Sequence, residues 1–304
     1  MEKSHRNIQI INSVSELHRL MSLPKPLHPL ITFIDHSTVT AIRDEEKPNL
    51  LLNFYNISIK RSFKGQLKYG KNYYDFDEGT MSFMAPNQVI NIDNEEDRNK
   101  DGWSLLFHPD LIREYQLGKL IKNYGFFSYS VNEALHLSDE EEMTVEAIIQ
   151  NIQKEVNARV DNFSQDIIVS NLELLLSYCN RFYSRQFITR KMATNDLLTN
   201  FERLLENYFA DNKDMTLPTV DKLASELNVS SAYLSDMLRN LTGQNTQQHI
   251  HNKLIEKAKE ILIMTDLTVS EIAYQLGFEY SQSFSKLFKS KTNFTPIEYR
   301  QSYN

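Results

Sequence analysis

Two hydrophobic periods divide the chain. From about residue 28 to 108 apolar and polar positions alternate: Tyr55, Ile57 and Ile59 with Asn56, Ser58 and Lys60, then Trp103, Leu105 and Phe107 with Ser104, Leu106 and His108. A period of two belongs to strands with one buried face. Turn-rich stretches such as DEGT, residues 77–80, and APNQ, residues 85–88, separate the strands, so the pattern predicts a small antiparallel barrel or sandwich with room for a pocket between its faces. From about residue 138 the period lengthens. Ser138 and Glu141 have the spacing of a capping box, and Ile148, Ile152, Val156 and Val160 recur every four residues, as an amphipathic helix requires. A second helix follows with Ile168, Leu172, Leu175, Leu176 and Cys179 on one side. This pair either packs on the barrel or forms a seam with a second subunit. The stretch SRQFITRKMATND, residues 184–196, is polar, basic and weakly periodic, and reads as a linker. Beyond it Phe201, Leu204, Leu205, Tyr208 and Phe209 open an all-helical region.

That region repeats itself. The segment from Thr219 to Gly243 matches Thr268 to Asn293, with Leu223, Ala224 and Leu227 answering Ile272, Ala273 and Leu276. One residue is added at the turn, after which Ser231, Leu234, Ser235, Leu238 and Arg239 answer Ser281, Phe284, Ser285, Phe288 and Lys289. The match is one of physical roles. Thr219 and Thr268 are N-cap residues, and Glu271 completes a capping box in the second copy. Small Ala224 and Ala273 fit where two helices cross closely. Asn228 and Gly277 are the residue types that best tolerate a left-handed turn. Each unit is therefore a helix, a turn and a second helix. The second helix buries Leu234 and Leu238, or Phe284 and Phe288. Its other face carries Ser231, Ala232, Ser235 and Arg239 in the first copy, and Ser281, Gln282, Ser283, Ser285, Lys286 and Lys289 in the second. Small hydroxyls and an amide near a helix start reach base edges and phosphates, and cations further along neutralise phosphate. These ten residues are the candidate sites for double-stranded DNA.

Charge sharpens the division. The net charge of -7 argues against a nucleic-acid partner, but Met215–Asn304 holds nine Lys+Arg against nine Asp+Glu, leaving 24 against 31 in the rest. The acidic excess lies outside the repeat. With 304 residues, 41% hydrophobic and only 8 Gly and 8 Pro, the chain has the make-up of two folded domains. No basic-then-apolar leader and no membrane-length apolar run occur, so a cytoplasmic location is expected. One cysteine, Cys179, excludes an internal disulfide and reads as a buried hydrophobe.

The runs LASELNVSSAYLSDMLRNLTGQ, KLIEKAKEIL and TVSEIAYQLGFEYSQSFSKLFKSKTNFTPIEYR, over about the last hundred residues, closely resemble the DNA-binding domain of the AraC/XylS family of transcription regulators. The resemblance implies seven helices, with a long one, residues 247–263, joining two helix-turn-helix units whose second helices enter successive major grooves. The stretches EGTMSFMAPNQVI and GWSLLFHPDLI more weakly resemble that family's sensor portion. The implied fold class is α+β, a cupin-like β-barrel with a helical pair over residues 1–183, a linker at 184–196 and an all-α DNA-binding domain over 197–304. Also implied are a small-molecule effector, activation more than repression, contact with RNA polymerase if the chain is an activator, and a homodimer. Three residues depart from the family's pattern. Asp236 and Lys253 replace a usual basic residue and a usual Arg, and Asn293 replaces a Gly that closes the last recognition helix. Asp236 would repel phosphate, so the first unit is expected to bind less tightly or less selectively than the second. Asn293 still suits the left-handed turn.

No cofactor, metal or catalytic site is expected. GQLKYGKN, residues 65–72, nearly fits a phosphate-binding loop, yet Asn72 lacks the hydroxyl that ligates Mg²⁺ and no helix start follows; it reads as a strand-to-strand turn. His249 and His251, two apart on a helix, diverge too far to share an ion. His28, His36, His108 and His136 lack metal-ligand spacing, and no nucleophile motif appears. The acidic run SDEEEM, residues 138–143, suits a helix start. The alternative function is a small-molecule-binding or metal-dependent cupin-like enzyme with a helical interaction tail. A further one is a regulator whose barrel serves only to dimerise.

Overall fold

Local sequence patterns become two kinds of layer in a computed structural model, which describes residues 8–39, 49–61, 63–69, 72–76, 79–91, 101–130, 133–159, 161–189, 191–210 and 216–302. The chain divides into two compact units, Met1–Gln186 and Phe187–Asn304. The first contains β1 (Ile8–Ile11), α1 (Val14–Leu20), β2 (Ile31–Asp35), β3 (Asn49–Leu52), β4 (Tyr55–Lys60), β5 (Phe63–Tyr69) and β6 (Asn72–Phe76). It continues with β7 (Thr80–Met84), β8 (Gln88–Asn91), β9 (Gly102–Phe107), α2 (Gln116–Leu120), β10 (Leu135–His136), α3 (Asp139–Asn157) and α4 (Ser164–Thr189), whose last turn crosses into the second unit.

The alternation in β4 and β9 puts them side by side at the centre of a five-stranded antiparallel sheet, ordered β10-β7-β4-β9-β2. One face is apolar. There Phe83 meets Phe126 at 4.5 Å, Tyr183 stacks on Phe126 at 5.5 Å, and Ile57, Ile59, Met81, Leu105 and Phe107 are sealed from solvent. The two period-four segments supply the long helices α3 and α4. Ser138 and Glu141 form the capping box that starts α3, while Ile148, Ile152 and Val156, and on α4 Ile168, Leu172, Leu175, Leu176 and Cys179, are all buried. Val160 lies outside the described residues. On the opposite face of the sheet Ile34 and Leu106 join Ile11, Val14, Leu17, Leu50, Leu52 and Phe54 in a separate core.

The expected barrel is not closed among the described residues. The strands form three sheets: the five-stranded one, a three-stranded one ordered β1-β3-β8 and the hairpin β5-β6. Closure needs the two edge strands to pair with each other, and the edge strand β10 has only two residues. The stretch read against a phosphate loop is part of the hairpin, with Tyr69 opposite Asn72, and its residues 70 and 71 lie outside the described ones. The segment read as an irregular linker is helical wherever it is described, up to Thr189 and again from Lys191. It has no Gly or Pro to stop a helix, and Phe187 and Thr194 are buried, with the Thr194 hydroxyl donating to the Phe187 carbonyl at 3.1 Å.

Burial pushes the Cys179 thiol far above its ordinary range, so it is neither charged nor accessible. Native protein is expected to leave a thiol-specific reagent unconsumed, and denatured protein to consume one equivalent; rapid labelling of the native chain would contradict this packing.

Candidate nucleic-acid interface

The second unit contains seven helices among the described residues: α5 (Lys191–Ala210), α6 (Val220–Glu226), α7 (Ser231–Thr242), α8 (Thr246–Met264), α9 (Val269–Gln275), α10 (Ser281–Thr292) and α11 (Pro296–Gln301). The repeat folds as its sequence asks. Thr219 caps α6, and Thr268 with Glu271 forms a capping box on α9. Asn228 and Gly277 adopt φ of 57° and 90°. Around each runs the same pair of turn bonds: Val229 N–H to the Ala224 carbonyl and Asn228 N–H to Ser225 in the first copy, Phe278 N–H to Ala273 and Gly277 N–H to Tyr274 in the second. This double bond pattern closes a helix C-terminus on a left-handed residue and re-aims the chain into the next helix. Ala224 and Ala273, in the expected crossing positions, are fully packed. Leu234, Met237 and Leu238 anchor α7, and Phe284 and Phe288 anchor α10. Gly243 and Asn293 end these two helices in the left-handed region, at φ of 75° and 64°, so Asn293 fills its turn as expected.

The two second helices differ on their outer faces. On α10, Gln282, Ser283, Lys286 and Lys289 are exposed, and Ser281 and Ser285 are half-buried. The side chains of Gln282, Ser283 and Lys286 make no hydrogen bond or ion pair among the described residues. Lys289 helps hold the Glu298 carboxyl below its usual range, after the larger effect of that carboxyl's bonds to the Thr295 backbone and side chain. Lys291 is also exposed and reaches Asn252 Oδ1 at 3.2 Å. On α7, by contrast, the Ser231 hydroxyl donates to Asp221 Oδ1 and the Ser235 hydroxyl meets Thr246 Oγ1 at 3.0 Å. Arg239 pairs with Asp236 at 2.8 Å, and Ala232 is half-buried. Lys253, the other departure, reaches Glu206 at 3.1 Å.

Two exposed aromatics were not read as site residues from the sequence. Tyr280, 63% exposed, is the residue before α10 and offers its first turn no side-chain cap, whereas Ser230 caps α7. Tyr274 is 54% exposed on α9. Their signal was an aromatic at a polar point of the helical pattern. His249 and His251 point to different neighbours, Thr242 Oγ1 at 2.8 Å and Gln247 at 2.8 Å. Burial lowers the pKa of both. Among the described residues no three His, Cys, Asp or Glu side chains are grouped as a metal site, and no helix is long and apolar enough to cross a membrane.

A second candidate lies in the first unit. Register places Ser104 of β9, Ser58 of β4 and Ser82 of β7 in one row across three adjacent strands. Ser58 and Ser104 are 2.9 Å apart, Ser58 donates to Asn56, and His36 Nε2 meets the Ser104 hydroxyl at 2.7 Å. Burial, with Lys60 nearby, lowers the His36 pKa to about 4, so its ring is neutral. These are the alternate polar positions of the strands, and Ser58 is only 6% exposed.

Residues 223–302 match the family described as a helix-turn-helix domain. Over 98 residues the chain is 32% identical to an uncharacterized HTH-type transcriptional regulator in the cgkA 5' region of Pseudoalteromonas carrageenovora, a match covering 32% of this chain and 54% of that one. Over 149 residues it is 28% identical to the HTH-type transcriptional activator RhaS of Escherichia coli O1:K1, covering 49% and 50%. The C-terminal domain of the two-component response regulator yesN from Fusobacterium nucleatum, a crystal structure, is 35% identical over 33% of this chain and 96% of its own, with a TM-score of 0.30. The chain thus spans about half the length of these two relatives.

Proposed function

We propose, from the premise that the C-terminal domain of this chain belongs to the AraC family of helix-turn-helix domains, that the protein is a sequence-specific DNA-binding transcription regulator. The observation that carries this reading is the outer face of α10, where Gln282, Ser283, Lys286 and Lys289 stand exposed while Phe284 and Phe288 fix the helix from behind. Gln pairs well with adenine in the major groove, and lysines along the helix neutralise phosphates. With α7 and α10 as the two reading helices joined by α8, the site on DNA has two half-elements about one helical turn, ~34 Å, apart.

The first unit, read as a cupin-like sensor, holds a small-molecule effector. Support comes from the Ser58, Ser82 and Ser104 row with Asn56, hydrogen-bonding groups placed on strands rather than loops, and from the neutral His36 in the turn after β2. Dimerisation through α4 is supported by exposed apolar residues at Phe163, just before the helix, and at Ile167 and Leu174 on it, 67%, 42% and 47% accessible. Activation, with contact to RNA polymerase, is the direction we assign.

Selection from a random duplex library by the full chain is expected to enrich one motif. Ser281→Ala and Gln282→Ala should then relax selectivity by ~1–3 kcal/mol for each base that is no longer read, whereas Ser231→Ala, whose hydroxyl is tied to Asp221, should change the motif less. Unchanged motifs in both α10 variants would refute these assignments.

A further inference from the structure

The two copies of the repeat have the same frame and different outer chemistry. In α7 the groups that would meet DNA are already bonded inside the protein: Ser231 to Asp221 across the turn, Arg239 to Asp236 one turn back, Ser235 to Thr246 at the base of α8. Two of these partners are carboxylates. Each occupies a donor that phosphate or a base would otherwise take, and each adds a negative charge beside the path of the backbone. Arg239 is 56% exposed at its side chain and Asp236 26%, so the pair sits at the surface, within reach of a duplex. In α10 the corresponding positions are Ser281, Lys286 and Lys289. No acidic residue lies within the helix, and its exposed Gln282, Ser283 and Lys286 are without partners among the described residues.

We infer that the two units divide the work, with α10 reading bases and α7 held back by Asp221 and Asp236, which act as specificity-determining residues by keeping Ser231 and Arg239 occupied. The inference rests on the DNA-binding reading above and goes further, because it makes two acidic residues the cause of an unequal operator. Binding energy then comes mainly from one half-element, and the other tolerates many sequences. A free Arg239 is long enough to pair with phosphate or with guanine. Removing its tether turns a silent helix into a reader.

The test uses the full chain in random-duplex selection, wild type beside Asp221→Ala, Asp236→Ala and their double variant, with circular dichroism to establish that each is folded. Asp236→Asn serves as a second variant that keeps the side-chain volume. Wild type is expected to enrich one well-defined half-element flanked by a degenerate one. The double variant should define the second half-element as well and bind the wild-type motif roughly fivefold more tightly at the same salt. Adding Arg239→Ala to Asp236→Ala should abolish that gain. Two equally defined half-elements in the wild type would overturn the inference while upholding the DNA-binding reading. Unchanged or weaker binding by the folded Asp variants would overturn it too. Enrichment of nothing by any variant would remove the underlying reading and the inference with it.

Discussion

Reversing two charges on α10, Lys286→Glu with Lys289→Glu, is expected to lower DNA affinity about 10²–10³-fold and to flatten its dependence on salt by roughly two counterions. Both side chains are exposed, so the change in stability should stay within ~0.5 kcal/mol. The effect is large because the domain has no net positive charge. With nine cations against nine anions in residues 215–304, attraction to a duplex depends on a local patch, and α10 holds Lys286, Lys289 and Lys291 within two turns. Titration of a labelled duplex at several salt concentrations measures both quantities. Undiminished binding with the original salt slope would show that DNA does not touch this face.

Gly277→Ala is expected to destabilise the second unit by ~2–4 kcal/mol and to remove DNA binding with it. Two causes add. The residue stands at φ 90°, where any side chain strains the backbone by ~1 kcal/mol or more. A Cβ there would also lie 2.7 Å from Leu217 N and Thr216 C and 3.0 Å from Thr216 Cα, main-chain atoms of the segment leading into α6. That close approach couples the turn of the second helix pair to the entry of the first, so relief of the clash displaces both. Gly243→Ala separates the two causes, because Gly243 has φ 75° but nothing within 4 Å of the added carbon; it should cost only the ~1 kcal/mol of backbone strain. The unfolding midpoint by far-ultraviolet circular dichroism should fall in that order. The single tryptophan, Trp103, sits in β9 of the first unit, so its fluorescence transition should move little. Equal effects of the two substitutions would mean that the close approach at Gly277 does not exist.

Features defined by neighbours in the chain were legible in the sequence. Caps at Thr219 and Thr268, left-handed residues at Asn228, Gly277 and Asn293, and the stripes that bury Phe284 and Phe288 each depend on spacings of a few residues, and all are in place. Features that depend on partners brought together by folding were not. The tie between Ser231 and Asp221 joins two helices across a turn, so Ser231 read as an open surface hydroxyl. Asp236 read as a lone repulsive charge, whereas it is paired with Arg239 three residues on, a spacing that the sequence did contain. The alternation of β4 and β9 identified strands, but it could not say that the face of Ser58 and Ser104 is also largely enclosed. Burial of a polar row shows only when neighbouring strands set three serines side by side. Residues 184–196 lacked an apolar period, which concealed the end of α4 and the start of α5, because two of the side chains buried there, Gln186 and Thr194, are polar and only Phe187 is apolar.

Whether this protein reads DNA sequence is measured by a ratio of affinities. The full chain would be titrated, at near-physiological salt, against the duplex it selects and against a shuffled duplex of equal length and composition. A preference of at least ~10³-fold for the selected duplex is expected, lost in the Lys286→Glu, Lys289→Glu variant. Equal affinity for the two duplexes would contradict it.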